Sequence, residues 1–271
     1  MAIRRVSSKW KKTNVLLRNE DISSYIPLTY IYSWDALESM LKVYPMVYIK
    51  PDQGTYGNGV MRVEQLPDQD HVPSEEIPIK YKYLLFHDMT VEILPSLEEL
   101  HTYITSRIHQ QTYLIQQGIV SLQYNNRAFD LRVLTQKSPN HRWASTGMIG
   151  RVAAPNKVVT NHHNGGSVHM IDILLSNYMD RMDLFKFERL LHSLGTKVAA
   201  QLEKKYPGIK EIGLDVAIDS DLKPWILEVN TLPALFPFKQ FIPDKHVYKR
   251  IHRYALSYGR FSSKKKASKQ A

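Results

Sequence analysis

The chain has 271 residues, 43% of them hydrophobic, enough to bury a core as one domain or two closely packed lobes. It contains no Cys, which excludes a disulfide framework, a thiolate metal site and a cysteine nucleophile, and which fits a reducing compartment. The net charge of +10 belongs to the ends: residues 1–12 and 249–271 hold thirteen basic and no acidic residues, the remainder holds 23 basic against 26 acidic, and this distribution argues against a nucleic-acid-binding surface.

The opening "MAIRRVSSKWKK" has no apolar stretch after its basic residues, so it does not read as a secretory signal. No apolar run reaches the length of a membrane span, and the expected location is the cytoplasm. "WDALESMLKVY" (34–44) has apolar residues at helical spacing. "MVYIK" (46–50) and "GVMRVEQL" (59–66) read as strands around a glycine loop, and the polar 69–81 segment as an exposed connection. "SLEELHTYITSRI" (96–108) opens on a capping-box serine three residues before Glu99 and continues as a helix. Strands follow at 112–119, 128–136 and 142–153. Residues 183–206 form the longest helix, with Phe187, Leu191, Leu194, Val198 and Leu202 on one stripe and Pro207-Gly208 ending it. "IGLDVAID" and "PWILEVN" make a hairpin around "SDLK". The elements give an α+β or α/β domain with much antiparallel sheet. Residues 261–271 are expected to be a basic, disordered tail, either simply solvated or adhering to an anionic surface.

Two stretches carry chemistry. In "IKPDQGTYGNGV" (49–60), three glycines follow Lys50. A strand follows the loop rather than a helix, which rules out a P-loop or dinucleotide fingerprint. The loop is either a surface hairpin tip or, with Lys50 beside glycine N–H groups, a cover for phosphate oxygens. In the later hairpin, pairing places Asp219 opposite Pro224 and Asp215 opposite Glu228. Asp215, Glu228 and Asn230 then share one face, and Trp225, Leu227 and Val229 face a core. Opposed carboxylates repel. Either that face is solvated, or it holds magnesium, which suits two carboxylates and an amide oxygen.

Lys50 with its glycine hairpin, "LIQQGI", "FDLRV", "GLDV" and "LEVN", in this order, resemble the ATP-grasp superfamily. From "KPDQGTYGNGV" to "LEVNTLP" the chain most resembles the endospore coat-associated YheC/YheD family, and it is similar to ligases that add glutamate to a ribosomal protein. The resemblance covers roughly residues 9–235. It implies an α+β fold in which two lobes hold ATP between them: an ATP-grasp domain over residues 1–260, with a lid-like lobe at about 45–115 and a main lobe at about 116–260. It also implies ATP and two Mg²⁺ ions, and a carboxylate–amine or carboxylate–thiol ligase working through an acyl phosphate on a small-molecule or peptide carboxylate. The alternative is a nucleotide-binding, coat-associated structural protein without turnover, partnered by spore coat components. Related ligases carry a further N-terminal domain that helps bind the acceptor, and this chain begins almost at the lysine segment.

By position, the resemblance assigns Lys50, and more loosely Lys9 with Lys11 and Lys12 as rivals, to the nucleotide. Gly54, Gly57 and Gly59 would cover its phosphates, and Gln116, Gln117 and Ile119 would meet the adenine at the hinge. Asp215, Glu228 and Asn230 correspond to metal ligands, with Glu228 bridging. Arg132, Arg151 and Asn161 correspond to residues near the transferring phosphate. His162 and His163 read as loop histidines.

Overall fold

The computed structural model describes residues 3–55, 57–67, 81–154 and 165–261. The chain opens with α1 (Lys9–Leu16), capped by Ser8, whose Oγ accepts from the Lys11 N–H, and a short α2 (Glu20–Ser23). Next come β1 (Thr29–Ile31), α3 (Trp34–Val43), β2 (Met46–Pro51), β3 (Met61–Pro67), β4 (Tyr81–His87), β5 (Thr90–Leu94), α4 (Leu97–Ile108) and β6 (Tyr113–Gln117). Their strands form one antiparallel sheet in the order β1-β6-β2-β3-β4-β5. Alternation along β2 and β3 sends Val47, Ile49, Met61 and Val63 into a core shared with Leu37 and Met40 of α3 and Leu100 and Ile104 of α4. Ser96 caps α4 by accepting from the Glu99 N–H, as the capping-box spacing predicts.

The second sheet contains β7 (Gln123–Tyr124), β8 (Arg127–Lys137), β9 (Trp143–Val152), β10 (Ser167–His169), β11 (Glu211–Ile218) and β12 (Pro224–Asn230). The order is β10-β9-β8-β11-β12, with β7 beside β8. Between β10 and β11 lie α5 (Ile171–Leu175) and α6 (Arg181–Lys205). All five residues of the predicted α6 stripe are buried, packed with Phe129, Leu131 and Val133 of β8. On the opposite face, Leu134 and Ile149 pack with α7 (Phe236–Phe241) and α8 (Lys245–Ser257). The fold is therefore α+β, with two helix-backed antiparallel sheets.

The carboxylate hairpin forms with a changed register. Asp215 faces Glu228 as predicted, but a bulge beyond this pair brings Val216 opposite Ile226 and Ile218 opposite Pro224. Leu227 is the extra residue, and it reverses the alternation of β12. Ile226 and Val229 are buried, whereas Trp225 and Leu227 are not fully so, which corrects the expected core face. Asp219 does not oppose Pro224. Its carboxylate organises the turn, accepting from the Asp221 and Lys223 N–H groups and from the Trp225 indole. The 69–80 connection, Asn161, both loop histidines and residues 262–271 lie outside the described residues.

The basic ends do not stay apart from the core. Glu211, fully buried at the start of β11, receives Arg5 at 2.8 Å, Arg260 at 2.7 Å and the Tyr258 hydroxyl at 2.7 Å. Arg5 also donates to the Thr231 carbonyl and Arg260 to that of Pro233. Both ends of the described chain are thereby fastened to the segment that follows Asn230.

Candidate functional site

A cleft opens between α1, the β1-β6-β2 end of the first sheet and β12 of the second. Lys9 and Lys12, one helical turn apart on α1, and Lys50, at the end of β2, all line it and are all buried. Lys50 Nζ donates to Gln116 Oε1 at 2.7 Å and to the Leu227 carbonyl at 2.9 Å. The β12 bulge is what turns that carbonyl out of the regular ladder toward a side chain. Gln116 in turn donates to Thr29 Oγ1 at 2.9 Å, so the lysine is positioned by a chain of bonds across β2, β6 and β1. Lys9 Nζ donates to the Gly54 carbonyl at 3.2 Å and lies 3.7 Å from Glu228, and Lys12 Nζ donates to the Val6 carbonyl at 3.0 Å.

These ammonium groups outnumber the carboxylate beside them. Burial pushes both Lys50 and Lys12 down to about 8; Glu228 pulls each back up, and Lys9 adds to the fall. Keeping each charged at neutral pH costs about 3 kcal/mol at 1.36 kcal/mol per unit. A bound polyanion would lower that cost. Between about pH 8 and 10.5 the unfolded chain binds more protons at these lysines than the folded one, so folding stability gains from them as pH rises through that window. Anion binding has the opposite sign. Triphosphate affinity should be greatest below about pH 8 and fall above it, with proton uptake on binding near pH 8.5. Titration calorimetry in buffers of different ionisation enthalpy measures that uptake, and a pH-independent affinity would contradict it.

The glycine loop approaches the same cleft. Gly54, Gly57 and Gly59 all have positive φ, at 148°, 77° and 73°. A Cβ at Gly59 would lie 2.7 Å from the Tyr113 hydroxyl, so this position has no room for a side chain. At the predicted hinge, Gln117 exchanges bonds with Leu28, its N–H donating to the carbonyl at 2.8 Å and its Oε1 accepting from the Leu28 N–H at 3.2 Å. Ile119, just beyond β6, is half-buried and contributes no side chain to the cleft lining.

Beside Glu228 a charged ladder crosses the second sheet. Alternation along β8 places Asp130 and Arg132 opposite the α6 side. Asp130 holds Arg151 of β9 through two bonds, at 2.7 and 2.6 Å. Asp215 of β11 holds Arg132 through two, at 2.5 and 3.0 Å, and Arg151 lies 3.1 Å from Asp215. Burial alone would raise the Asp215 carboxyl, but Arg132 and Arg151 hold it below the usual carboxylate range. Burial also opposes the charge on Arg151, and its two aspartates more than compensate. The conflict expected between Asp215 and Glu228 is thus answered by guanidinium and ammonium groups of the chain itself.

The residues fit a hard cation in part. Asn230 Oδ1 is buried with no hydrogen-bond partner among the described residues, an orphan acceptor beside a half-buried Glu228. Both are ligands that magnesium accepts. Asp215 is available to a cation only if Arg132 or Arg151 yields an oxygen. Among the described residues no group of three or more His, Asp or Glu converges to hold a metal.

The structure brings Lys9, Lys50, Gly54, Gln116, Asp215, Glu228, Asn230, Arg132 and Arg151 to one region. Lys12 was only a rival on sequence, yet it is buried in the cleft, while Lys11 is exposed on the other side of α1. The signal that separates them is helical spacing: Lys12 lies three residues from Lys9, Lys11 two.

The family described as YheC/D-like ATP-grasp matches residues 2–261. Among curated proteins, endospore coat-associated protein YheD of Bacillus subtilis (strain 168) is 23% identical over 261 residues, covering 95% of this chain and 55% of its own length. Endospore coat-associated protein YheC of the same organism is 21% identical over 243 residues, with coverage of 89% and 64%. A probable tubulin polyglutamylase, TTLL2 of Mus musculus, is 24% identical over 229 residues, with coverage of 80% and 41%. The chain spans less than two thirds of the length of each of these relatives.

Proposed function

The chain belongs to the YheC/D-like ATP-grasp family, and from that membership and its cleft we propose an ATP- and Mg²⁺-dependent ligase that joins a carboxylate to an amine or thiol. The observation that carries the proposal is the convergence of Lys9, Lys12 and Lys50 with Glu228 in one cleft between the two sheets, with the orphaned Asn230 Oδ1 two residues along β12 from Glu228. In this reading a substrate carboxylate oxygen attacks the γ-phosphorus and ADP leaves. The nucleophile then attacks the acyl carbon and inorganic phosphate leaves. The lysines hold the phosphate chain, with Lys50 oriented by Gln116 and Leu227. The loop at Gly54, Gly57 and Gly59 closes over it, and Gln117 and Ile119 border the base. Glu228 and Asn230 would hold magnesium, which neutralises charge developing on the phosphate oxygens. Arg132 and Arg151, fixed by Asp215 and Asp130, would offer positive charge near the transferring phosphoryl group. Such chemistry needs positioning and charge neutralisation and no covalent protein nucleophile. The name of the mouse relative, a probable polyglutamylase, supports an amino-acid or peptide carboxylate as substrate.

A second reading draws on the names of the two bacterial relatives: a coat-associated protein that binds nucleotide without turning it over. One experiment separates the two. Mg-ATP at about 100 times its Kd should stabilise the fold by roughly 2.7 kcal/mol and raise Tm by several degrees. ADP release that depends on added amino acids or peptides supports the ligase. A thermal shift with no ADP release supports the second reading, and no shift at millimolar Mg-ATP counts against both.

A further inference from the structure

On the other flank of α1 lies a second cleft, and its chemistry differs from the first. Arg4, Lys11 and Tyr206 line it, together with Ser7 and Gln53. Arg4 stacks its guanidinium over the Tyr206 ring, 5.2 Å from the centroid, and its N–H donates to the Gly208 carbonyl at 3.0 Å. Neither Arg4 nor Lys11 forms an ion pair with any described residue. Asp52, the acid on this wall, is engaged: its Oδ1 accepts from the Ser8 hydroxyl at 3.0 Å and the Trp10 N–H at 2.7 Å. Arg5, which also lines the cleft, is paired with Glu211, so the wall sets two cations, Arg4 and Lys11, against the single carboxylate of Asp52 and keeps a net positive charge.

The geometry argues against a phosphate here. A phosphate seeks converging backbone amides, and the nearest source is the N-terminus of α1. Its amides are already taken: the Lys9 N–H donates to the Asp52 carbonyl at 2.9 Å, the Trp10 N–H to Asp52 Oδ1, and the Lys11 N–H to Ser8 Oγ at 3.0 Å. The Ser7 hydroxyl donates to Gln53 Oε1 at 3.2 Å, so what remains is a trough with two cations, an aromatic wall and the Gln53 amide N–H groups, which suits carboxylates spaced along an extended chain. The trough also leads to the first site. Val6 on its wall donates its N–H to Thr231 Oγ1 at 2.8 Å, next to Asn230, and Gln53 adjoins Gly54 of the phosphate loop.

We propose that this second cleft binds the acidic peptide acceptor of the ligase, with its non-reacting carboxylates on Arg4 and Lys11. The proposal rests on the ligase reading and gives it a substrate class, a peptide rich in Glu or Asp. Binding at this cleft is measurable without nucleotide, so its failure and the failure of the ATP reading are distinguishable.

The test uses the full chain and fluorescein-labelled hexaglutamate and hexaglutamine, read by fluorescence anisotropy. Hexaglutamate should bind at least about tenfold more tightly than hexaglutamine, and the difference should shrink as salt is raised. The double substitution Arg4→Gln/Lys11→Gln should weaken hexaglutamate by about tenfold or more while the Mg-ATP thermal shift stays unchanged. Lys11→Glu, a charge reversal at an exposed position, supplies the same test should loss of the Arg4–Tyr206 contact unfold the double variant. Equal binding of the two peptides would overturn the proposal, as would unaltered hexaglutamate affinity in the folded variants. Displacement by inorganic phosphate at equal charge concentration would also overturn it, because the trough would then hold any small anion.

Discussion

Glu228→Gln should give a folded protein whose Mg-ATP turnover falls by at least about 10²-fold, the scale seen when one charge-stabilising group is taken from a transition state. The substitution keeps shape and volume and removes a charge beside the orphaned Asn230 Oδ1, where a cation would sit. The effect on stability has a definite sign. Read from the hairpin alone, Glu228 faces another carboxylate, and removing its charge relieves a repulsion. In the folded chain Asp215 is committed to Arg132 and Arg151, while Glu228 is the carboxylate that favours charge on Lys12 and Lys50. Glu228→Gln should therefore lower Tm modestly at pH 7, and the difference from wild type should shrink toward pH 10, where Lys12 and Lys50 are neutral in the folded chain. Unfolding of the variant at both pH values would make Glu228 a structural residue. Wild-type turnover in the variant would remove it from the metal site.

Asp215→Asn should be the most destabilising single change at the site. It leaves the guanidinium groups of Arg132 and Arg151 with one carboxylate, Asp130, where the folded protein supplies two. Removing one partner of a buried ion pair costs about 3–5 kcal/mol, because the remaining charge stays desolvated. In a chain of this size that is a drop of roughly 10 °C in Tm. Adding Arg132→Met to Asp215→Asn should restore part of the loss, and a double-mutant cycle reads the coupling. The same group sets the acid limit. Its carboxyl is held below the usual value, so its contribution is complete above about pH 4 and is lost as pH falls through the folded value. The Asp215→Asn variant should show a shallower acid transition than wild type. A Tm within a degree of wild type would mean that solvent, not the arginines, balances Asp215.

Residues acting through local rules were legible from the sequence. Ser96 caps α4 because its hydroxyl needs only the N–H three residues on. The α6 stripe is buried because helical spacing alone aligns Phe187 with Leu202. The Asp215–Glu228 pairing expected from regular alternation is present, but it depends on the bulge: from Ile218 opposite Pro224, an unbroken ladder would set Asp215 against Leu227. By contrast, α1 carries almost no apolar periodicity, since Lys9 and Lys12 occupy its buried face in place of apolar residues. A helix whose inner face is lysine does not announce itself through hydrophobic spacing.

The sequence by itself determined the α+β class, the glycine loop after Lys50 and the family that its motifs resemble, because each motif depends on neighbours within a turn or a hairpin. Tertiary structure alone decided the charge state and company of the site. It moved Lys12 into the cleft, gave Asp215 to two arginines on other strands, and inserted the Leu227 bulge that turns a carbonyl toward Lys50. These outcomes are long-range and electrostatic: what a buried charge costs depends on every charge brought near it by folding, and no spacing along the chain encodes that sum.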